Sequence, residues 1–259
     1  VFNIVLDPVL IFGIGPFPKL LVAGAAIATG IGYCIPAAAG LWYFCRPRDS
    51  ALWFTRFHPR RRMLLQTCGN GSSEMVSNIA TAITTFLFNI LFLRFWGEDG
   101  VASITIAMYF QFVFTAVFFG FSMGVAPVFS FNRGAGRYDR MRRIFGYCLR
   151  FILVSSVAIL AVALALSGVV VGIFSTPGSP VYAIALDGFR RFAPAFLFAG
   201  VTIFSSALFT ALSDGRTSAI ISFARTFGFL LLGLLLLPRL LEVDGVWLAV
   251  PLAELLSCL

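Results

Sequence analysis

The sequence is poor in charge. Asp, Glu, Lys and Arg make up 12% of its 259 residues, while hydrophobic residues reach 59%; ordinary globular chains carry about 25% charged residues. So few charges cannot screen that much apolar surface from water, which excludes a soluble globular protein. Histidine is nearly absent: His58, in a basic stretch, is the single example, so neither His-based catalysis nor a His-ligated metal is expected. The cysteines (Cys34, Cys45, Cys68, Cys148 and Cys258) show neither CxxC nor framework spacing, and read as small residues of apolar segments rather than disulfide partners or zinc ligands. HExxH, a Walker A run and a DxD pair are all missing. No catalytic site, metal, cofactor or ATP-driven step is therefore expected, and the chain reads as a non-enzyme. The first apolar run, VFNIVLDPVLIFG at 1–13, has no basic leader and no small-residue cleavage site, so it is not a signal peptide.

What the sequence has is long apolar runs. Spanning helices need about 20 mostly apolar residues, and eight stretches are candidates: 1–14 (short), 22–45, 69–93, 101–131, 151–174, 192–212, 217–237 and 243–259 (short). Turn-like interruptions separate them, including GPFPK, WGEDG, NRGAGRYD, STPGSP, SDGR and EVDG. A helix satisfies all its own backbone groups in hydrocarbon, so the expected fold class is an all-α integral membrane protein, a polytopic helical bundle.

The basic residues alternate in position. Fourteen of the nineteen Lys and Arg fall in 46–68, in 132–150 or at Arg216 and Arg225. The positive-inside rule puts these loops in the cytoplasm of a multi-pass cell-membrane protein and accounts for most of the +8 charge without a nucleic-acid partner. The 46–65 stretch mixes Trp, Phe and Leu with Arg, as an amphipathic connector lying in the headgroup layer would. A faint repeat relates VAGAAIA (22–28), EDGVASI (98–104) and VDGVWLA (243–249), each after a turn and each with glycine third; glycine permits close helix approach.

Polar residues inside apolar runs face a cavity or a partner. Glu74, Asn78, Thr81, Thr85 and Asn89 lie within about 80° of one another on a helical wheel, with Ile83, Phe86 and Ile90 opposite. Glu74 is the leading ion or cation candidate, although near a helix N-terminus it would serve equally as a solvated or dipole-stabilising residue. Asn89 reads more readily as helix-helix glue. Met108, Gln111, Thr115 and Ser122 share a face of the next segment, with Tyr109 nearby, and Thr202, Ser205 and Ser206 form a milder patch on 192–212. Pro8, Pro127 and Pro194 are hinge candidates, since proline kinks a helix; Asp7 beside Pro8 is assigned a structural role. Arg190, Arg191 and Arg225 are expected to snorkel rather than form a buried ion pair.

Five blocks carry a family resemblance: NIVLDPVLIFG with GAAIATGIG, GSSEMVSNIATAITTFLFN, GEDGVASITI, FGFSMGVAPVFSFNRGAG and DGVWLAVPLAELLS. In order and spacing they resemble the MATE multidrug and toxic-compound exporters, in particular the bacterial multidrug-export branch. That resemblance implies two six-helix lobes, with 1–45 as the last two helices of the N-terminal lobe, 46–68 as the interlobe linker and 69–259 as the C-terminal six-helix lobe. The other N-terminal helices of the same protein, the lipid bilayer and drug-like organic cations are the implied partners. The implied activity is Na⁺ or H⁺ antiport by rocker-switch alternating access. Two departures accompany it. The family's first-helix carboxylate lies outside this sequence, and the stretch matching helix ten has Thr202 where some relatives carry an acidic residue. Alternatives are a flippase for lipid-linked oligosaccharides, which shares the fold and would have a strongly cationic central cavity, and a non-transporting membrane scaffold or remnant.

Overall fold

The computed structural model describes residues 2–14, 16, 18–46, 54 and 60–259; the side chains of Phe2, Asn70, Ser73, Glu74 and Ser77 lie outside that description. The chain divides into two compact units, Val1–Arg60 and Arg61–Leu259. Of the stretch expected to be a linker, 46–68, residues 47–53 and 55–59 are outside the described set, and its last part is helical from Arg61.

The first unit is a helical hairpin, α1 (Phe2–Phe12) and α2 (Leu21–Cys45). Gly13, at φ 71°, ends α1 in the left-handed region that glycine tolerates. At the end of α2, Arg46 lies 4.3 Å above the Trp42 ring, an arrangement suited to the membrane-water boundary.

The second unit comprises α3 (Arg61–Gly134), α4 (Tyr138–Ala165), α5 (Ser167–Gly172), α6 (Pro180–Phe192), α7 (Ala195–Ala211), α8 (Gly215–Phe223), a π-helical segment (Ala224–Leu230) and α9 (Leu231–Cys258). Among the described residues four helical stretches are long and apolar enough to cross a membrane, or five if α6 and α7, bent by 54°, form one span. Two of these are much too long for one crossing. The stretch 78–134 has 57 residues, about 85 Å of helix against a hydrocarbon layer of about 30 Å. It is broken at Gly97 (φ 63°), and α9 is broken at Glu242 (φ 49°). Each break folds the chain back. Phe88 and Phe92 share a core cluster with Ile104 and Ala107, and Leu234 shares the same cluster with Val246 and Ala249. With both hairpins resolved into arms, the expected segments are all present as helices of a polytopic membrane protein.

The boundaries differ in instructive places. The basic 132–150 region is not a loop; only 135–137 interrupts the helices, and Arg140, Arg142, Arg143 and Arg150 lie on α4. The segment expected at 151–174 ends at Ala165 and restarts as α5. Of the hinge candidates, Pro194 marks the 54° bend, whereas Pro8 and Pro127 sit inside helices whose non-helical residues, where present, lie elsewhere.

The repeated glycines share one structural role. A Cβ on Gly24 would lie 2.5 Å from the Leu10 carbonyl oxygen, and one on Gly100 would lie 2.6 Å from that of Phe92. A Cβ on Gly245 would collide with the Leu237 carbonyl. Each glycine follows a chain reversal and lets the returning helix seat its backbone on the one it has just left. Elsewhere, Gly188 accepts the ring of Trp247, and Gly200 accepts Phe118, Ser156 and Ile152. Trp247 is buried and meets Phe92 edge-on at 4.7 Å. Arg191 pairs with Asp187 at 2.9 Å and also with Asp244, tying α6 to the start of the second arm of α9; both carboxylates are exposed, so this is a surface network and not a buried pair.

The turn into α8 is closed by Asp214, whose side chain accepts from the Thr217 amide at 3.2 Å and the Thr217 hydroxyl at 2.7 Å. The Thr217 side-chain and backbone hydrogen bonds hold the Asp214 carboxyl below its ordinary range. A depressed carboxylate contributes stability above its unfolded-state value and loses it as pH falls through the folded one. Asp214→Ala is therefore expected to lower the melting temperature in detergent at neutral pH, with the difference from wild type disappearing in strong acid; Asp214→Asn, still a good cap, should behave nearly as wild type at neutral pH. Gly100→Ala and Gly245→Ala are each expected to destabilise the unit by about 1–3 kcal/mol through overpacking. Gly120→Ala, where a Cβ meets open space, is the control, and its melting temperature should not fall.

Candidate functional site

The polar residues of the second unit fall into an interior cluster and an outer stripe. The cluster centres on Glu254, 4% exposed in the second arm of α9. Its Oε1 accepts from Arg225 Nε at 2.9 Å and Nη2 at 2.5 Å, and its Oε2 accepts from Thr202 Oγ1 at 2.8 Å. Arg225 comes from the π-helical segment and Thr202, 2% exposed, from α7. Three donors on a buried carboxylate meet the requirement that a charge removed from water be both paired and hydrogen-bonded. Arg225, itself half-buried, thus pairs with a buried carboxylate, a correction to the snorkelling expectation. Thr202 likewise does have a carboxylate beside it, supplied by the last helix rather than its own.

A column of hydroxyls continues along the same face of α7. Thr202, Ser206 and Thr210 recur every fourth residue, which places them one above another. Ser206 Oγ lies 2.9 Å from Ser218 Oγ and 3.1 Å from Ser222 Oγ, and Thr210 Oγ1 lies 2.8 Å from Ser218 Oγ. Ser218 also donates to the Ser206 carbonyl at 2.9 Å. These side chains tie α7 to α8 through the apolar interior.

The outer stripe runs along the first arm of α3. Glu74 is on the helix, with its side chain outside the described residues; Asn78 and Thr81 are exposed, and Thr85 donates to the Thr81 carbonyl at 2.9 Å. Asn89 lines an open cleft of about 540 Å³ with Phe86, Leu93 and Glu98. On the second arm, Tyr109 is exposed, stacks on Phe174 at 6.2 Å and lines a cleft of about 530 Å³ with Thr105, Ser175 and Thr176. Gln111 is half-buried, and its carbonyl accepts the buried Thr115 hydroxyl at 2.7 Å. Ser122 is buried and Ser205 half-buried. In the first unit Asp7 is half-buried inside α1, and its Oδ1 is buried without a hydrogen-bond partner among the described residues.

The sequence reading singled out Thr202 but not Glu254 or Arg225 as a pair. A signal was present: one carboxylate in the run VPLAELLS and one guanidinium in SFARTFGF, each without an opposite charge nearby in its own helix. Isolated charges of opposite sign in two apolar runs are mutual partners by the cost of leaving either alone.

A polytopic all-α membrane unit, hairpinned at glycines and holding a charged cluster in its interior, defines the class of polytopic helical membrane proteins. The comparisons narrow it. The MatE family model matches residues 74–235, and the chain belongs to the MatE family. It is 24% identical over 248 residues to the multidrug export protein MepA of Staphylococcus saprophyticus, covering 95% of this chain and 52% of that protein. It is 25% identical over 246 residues to MepA of Staphylococcus aureus strain NCTC 8325, covering 95% and 51%. An FAD transporter of Shewanella oneidensis matches at 27% over 166 residues, covering 60% of this chain and 34% of that protein. The chain thus spans about half the length of the MepA relatives. Among solved structures, a MATE in complex with MaL6 superposes with TM-score 0.88 at 20% identity, over 99% of this chain and 58% of that one. An outward-facing multidrug resistance MATE family transporter gives 0.86 at 21%, over 99% and 57%.

Arg225→Ala strips the buried Glu254 carboxylate of its partner and is expected to cost about 3–5 kcal/mol, read as a fall in unfolding temperature in detergent. The double substitution Glu254→Leu with Arg225→Leu removes both charges and should recover most of that loss.

Proposed function

We propose that the full-length protein is a secondary active exporter of drug-like organic cations, driven by inward Na⁺ or H⁺ through rocker-switch alternating access. The observation that carries this reading is an alignment along 95% of the chain to proteins named multidrug export protein MepA. In this reading residues 69–259 are the C-terminal lobe, 1–45 are the last two helices of the N-terminal lobe, and 46–68 is the amphipathic linker in the cytoplasmic headgroup layer. The arginine-rich regions 46–68 and 132–150 face the cytoplasm of a cell-membrane protein. The coupling ion replaces any bound cofactor as the source of driving force.

The outer stripe is where the substrate path is assigned. Asn78 is exposed on the first arm of α3, one turn after Glu74 in the sequence, Asn89 lines the cleft with Phe86 and Ile90, and Tyr109 supplies an exposed aromatic face on the neighbouring arm. Flat apolar cations are held by that combination, since aromatic faces attract cations and a carboxylate supplies the counter-charge. The Shewanella relative's name, FAD transporter, supports a second reading with a flavin nucleotide as cargo. Against it, the interior cation Arg225 is already engaged by Glu254, a poor arrangement for a phosphate-bearing cargo.

The test uses everted vesicles carrying the full-length protein, with ethidium and FAD offered separately at the outer face and accumulation inside measured. Ethidium transport driven by an ion gradient is expected. Glu74→Gln and Asn78→Ala should each lower it about tenfold or more, the equivalent of one charge-assisted contact. Transport of FAD but not ethidium, or ethidium rates unchanged in both variants, would overturn the cargo or the path respectively.

A further inference from the structure

We propose that Glu254 is a proton-binding site of the second unit, with Arg225 as the internal cation that competes with the proton for it. The inference rests on the antiport reading, and nothing in the sequence resemblance assigned a role to either residue. Glu254 lies roughly 18 Å along its helix from the break at Glu242, and Arg225 roughly 15 Å along its own from Gly215. Both therefore sit near the middle of a hydrocarbon layer about 30 Å thick, where an ionisable group is costly unless it has a task.

The two carboxylate oxygens are used differently. Oε1 takes both Arg225 donors, while Oε2 takes the Thr202 hydroxyl. Thr202 Oγ1 has a second acceptor in range, the Ala199 carbonyl at 3.0 Å. A hydroxyl has one proton to donate and lone pairs to accept with. With Glu254 ionised, Thr202 donates to Oε2. With a proton on Oε2, Glu254 donates to Thr202 and Thr202 turns its own hydrogen to Ala199. Both protonation states are thus fully hydrogen-bonded at Oε2 without any backbone movement.

Arg225 makes the two states exclusive. The docked guanidinium is paired by a charged Glu254, and a neutral Glu254 leaves Arg225 uncompensated. Its side chain is 26% exposed, so it has a route toward water, and it belongs to a π-helical segment, a backbone form that recurs at functional sites. Proton uptake at Oε2 therefore releases Arg225 from α9, and proton loss draws it back, which links a proton to the attachment of the π segment. Other charges are placed elsewhere. α7 carries none; Asp187 and Arg191 of α6 are joined to Asp244; Arg190 bonds Ser167 at 3.3 Å. Arg94, Glu98 and Asp99 of α3 flank its break, at the Trp247 end of α9, and on its own helix Glu254 is followed a turn later by the titratable thiol of Cys258.

The test measures ethidium affinity of the purified full-length protein against pH at fixed sodium concentration. Wild type is expected to bind more weakly at low pH by about 5-fold or more, the range of ordinary site-site coupling. Glu254→Gln with Arg225→Gln, which keeps hydrogen-bonding groups and removes both charges, should bind with the same affinity at all pH values. Thr202→Val should shrink the pH ratio and Thr202→Ser restore it. A wild-type pH ratio retained by the double variant overturns the proposal, as does an affinity that responds to sodium and not to pH. If wild type binds no ethidium, the export reading fails, and the proton site is then read from pH-difference infrared spectra. A protonated-carboxyl band present in wild type and absent in Glu254→Gln supports it; no such difference overturns it.

Discussion

Close approach of backbones is the constraint on which the rest of this structure depends. Lipid tails are as apolar as the side chains, so burying leucine supplies little force between helices in a membrane, and contact must come from fit. The second unit achieves fit where it has least material. Gly100 and Gly245 seat each returning arm on the carbonyls of the arm before it, Gly188 receives Trp247, and Gly200 receives Phe118 and Ile152. The aromatic core of Phe92, Phe189, Phe192, Phe196 and Trp247 fills what the glycines leave open. A larger residue at the hairpin glycines would hold the arms apart and leave that cluster without its walls.

Within this frame a charge pair has a specific energetic meaning. A buried ion pair contributes little net stability, because the desolvation of both ions offsets their attraction, whereas losing one partner is severe. Evolution of stability alone would therefore favour two leucines over Arg225 and Glu254. The pair reads as a feature retained for what it does. Its three donors come from two elements, the π segment and α7, and meet on the last helix, so one carboxylate sets the mutual position of three parts of the unit.

Much of the fold is legible in the sequence. Hydropathy located the segments because each crossing must be apolar over nearly its whole length. The turn strings WGEDG and EVDG marked the two chain reversals, and the faint repeat marked the glycines at both. The 132–150 region was misjudged because arginine is a good helix former, and a basic composition reports where a segment lies relative to the membrane, not whether it is helical. The interior cluster was hardest to see. Thr202 stood out within its own helix, but its partners lie 23 and 52 positions further along the chain, and helical periodicity compares a residue only with neighbours on the same helix.

The hydroxyl column of Thr210, Ser206, Ser218 and Ser222 has a mechanical side. Hydroxyls that both donate and accept along two facing helices act as a ratchet pawl: sliding one helix past the other by a residue turns the whole set away from its partners. α7 and α8 are thereby made one stiff lever. Compliance in this unit is left to the ends of that lever, at the bend beside Pro194 and at the π turn that follows Phe223, so a force applied at either end is transmitted rather than absorbed.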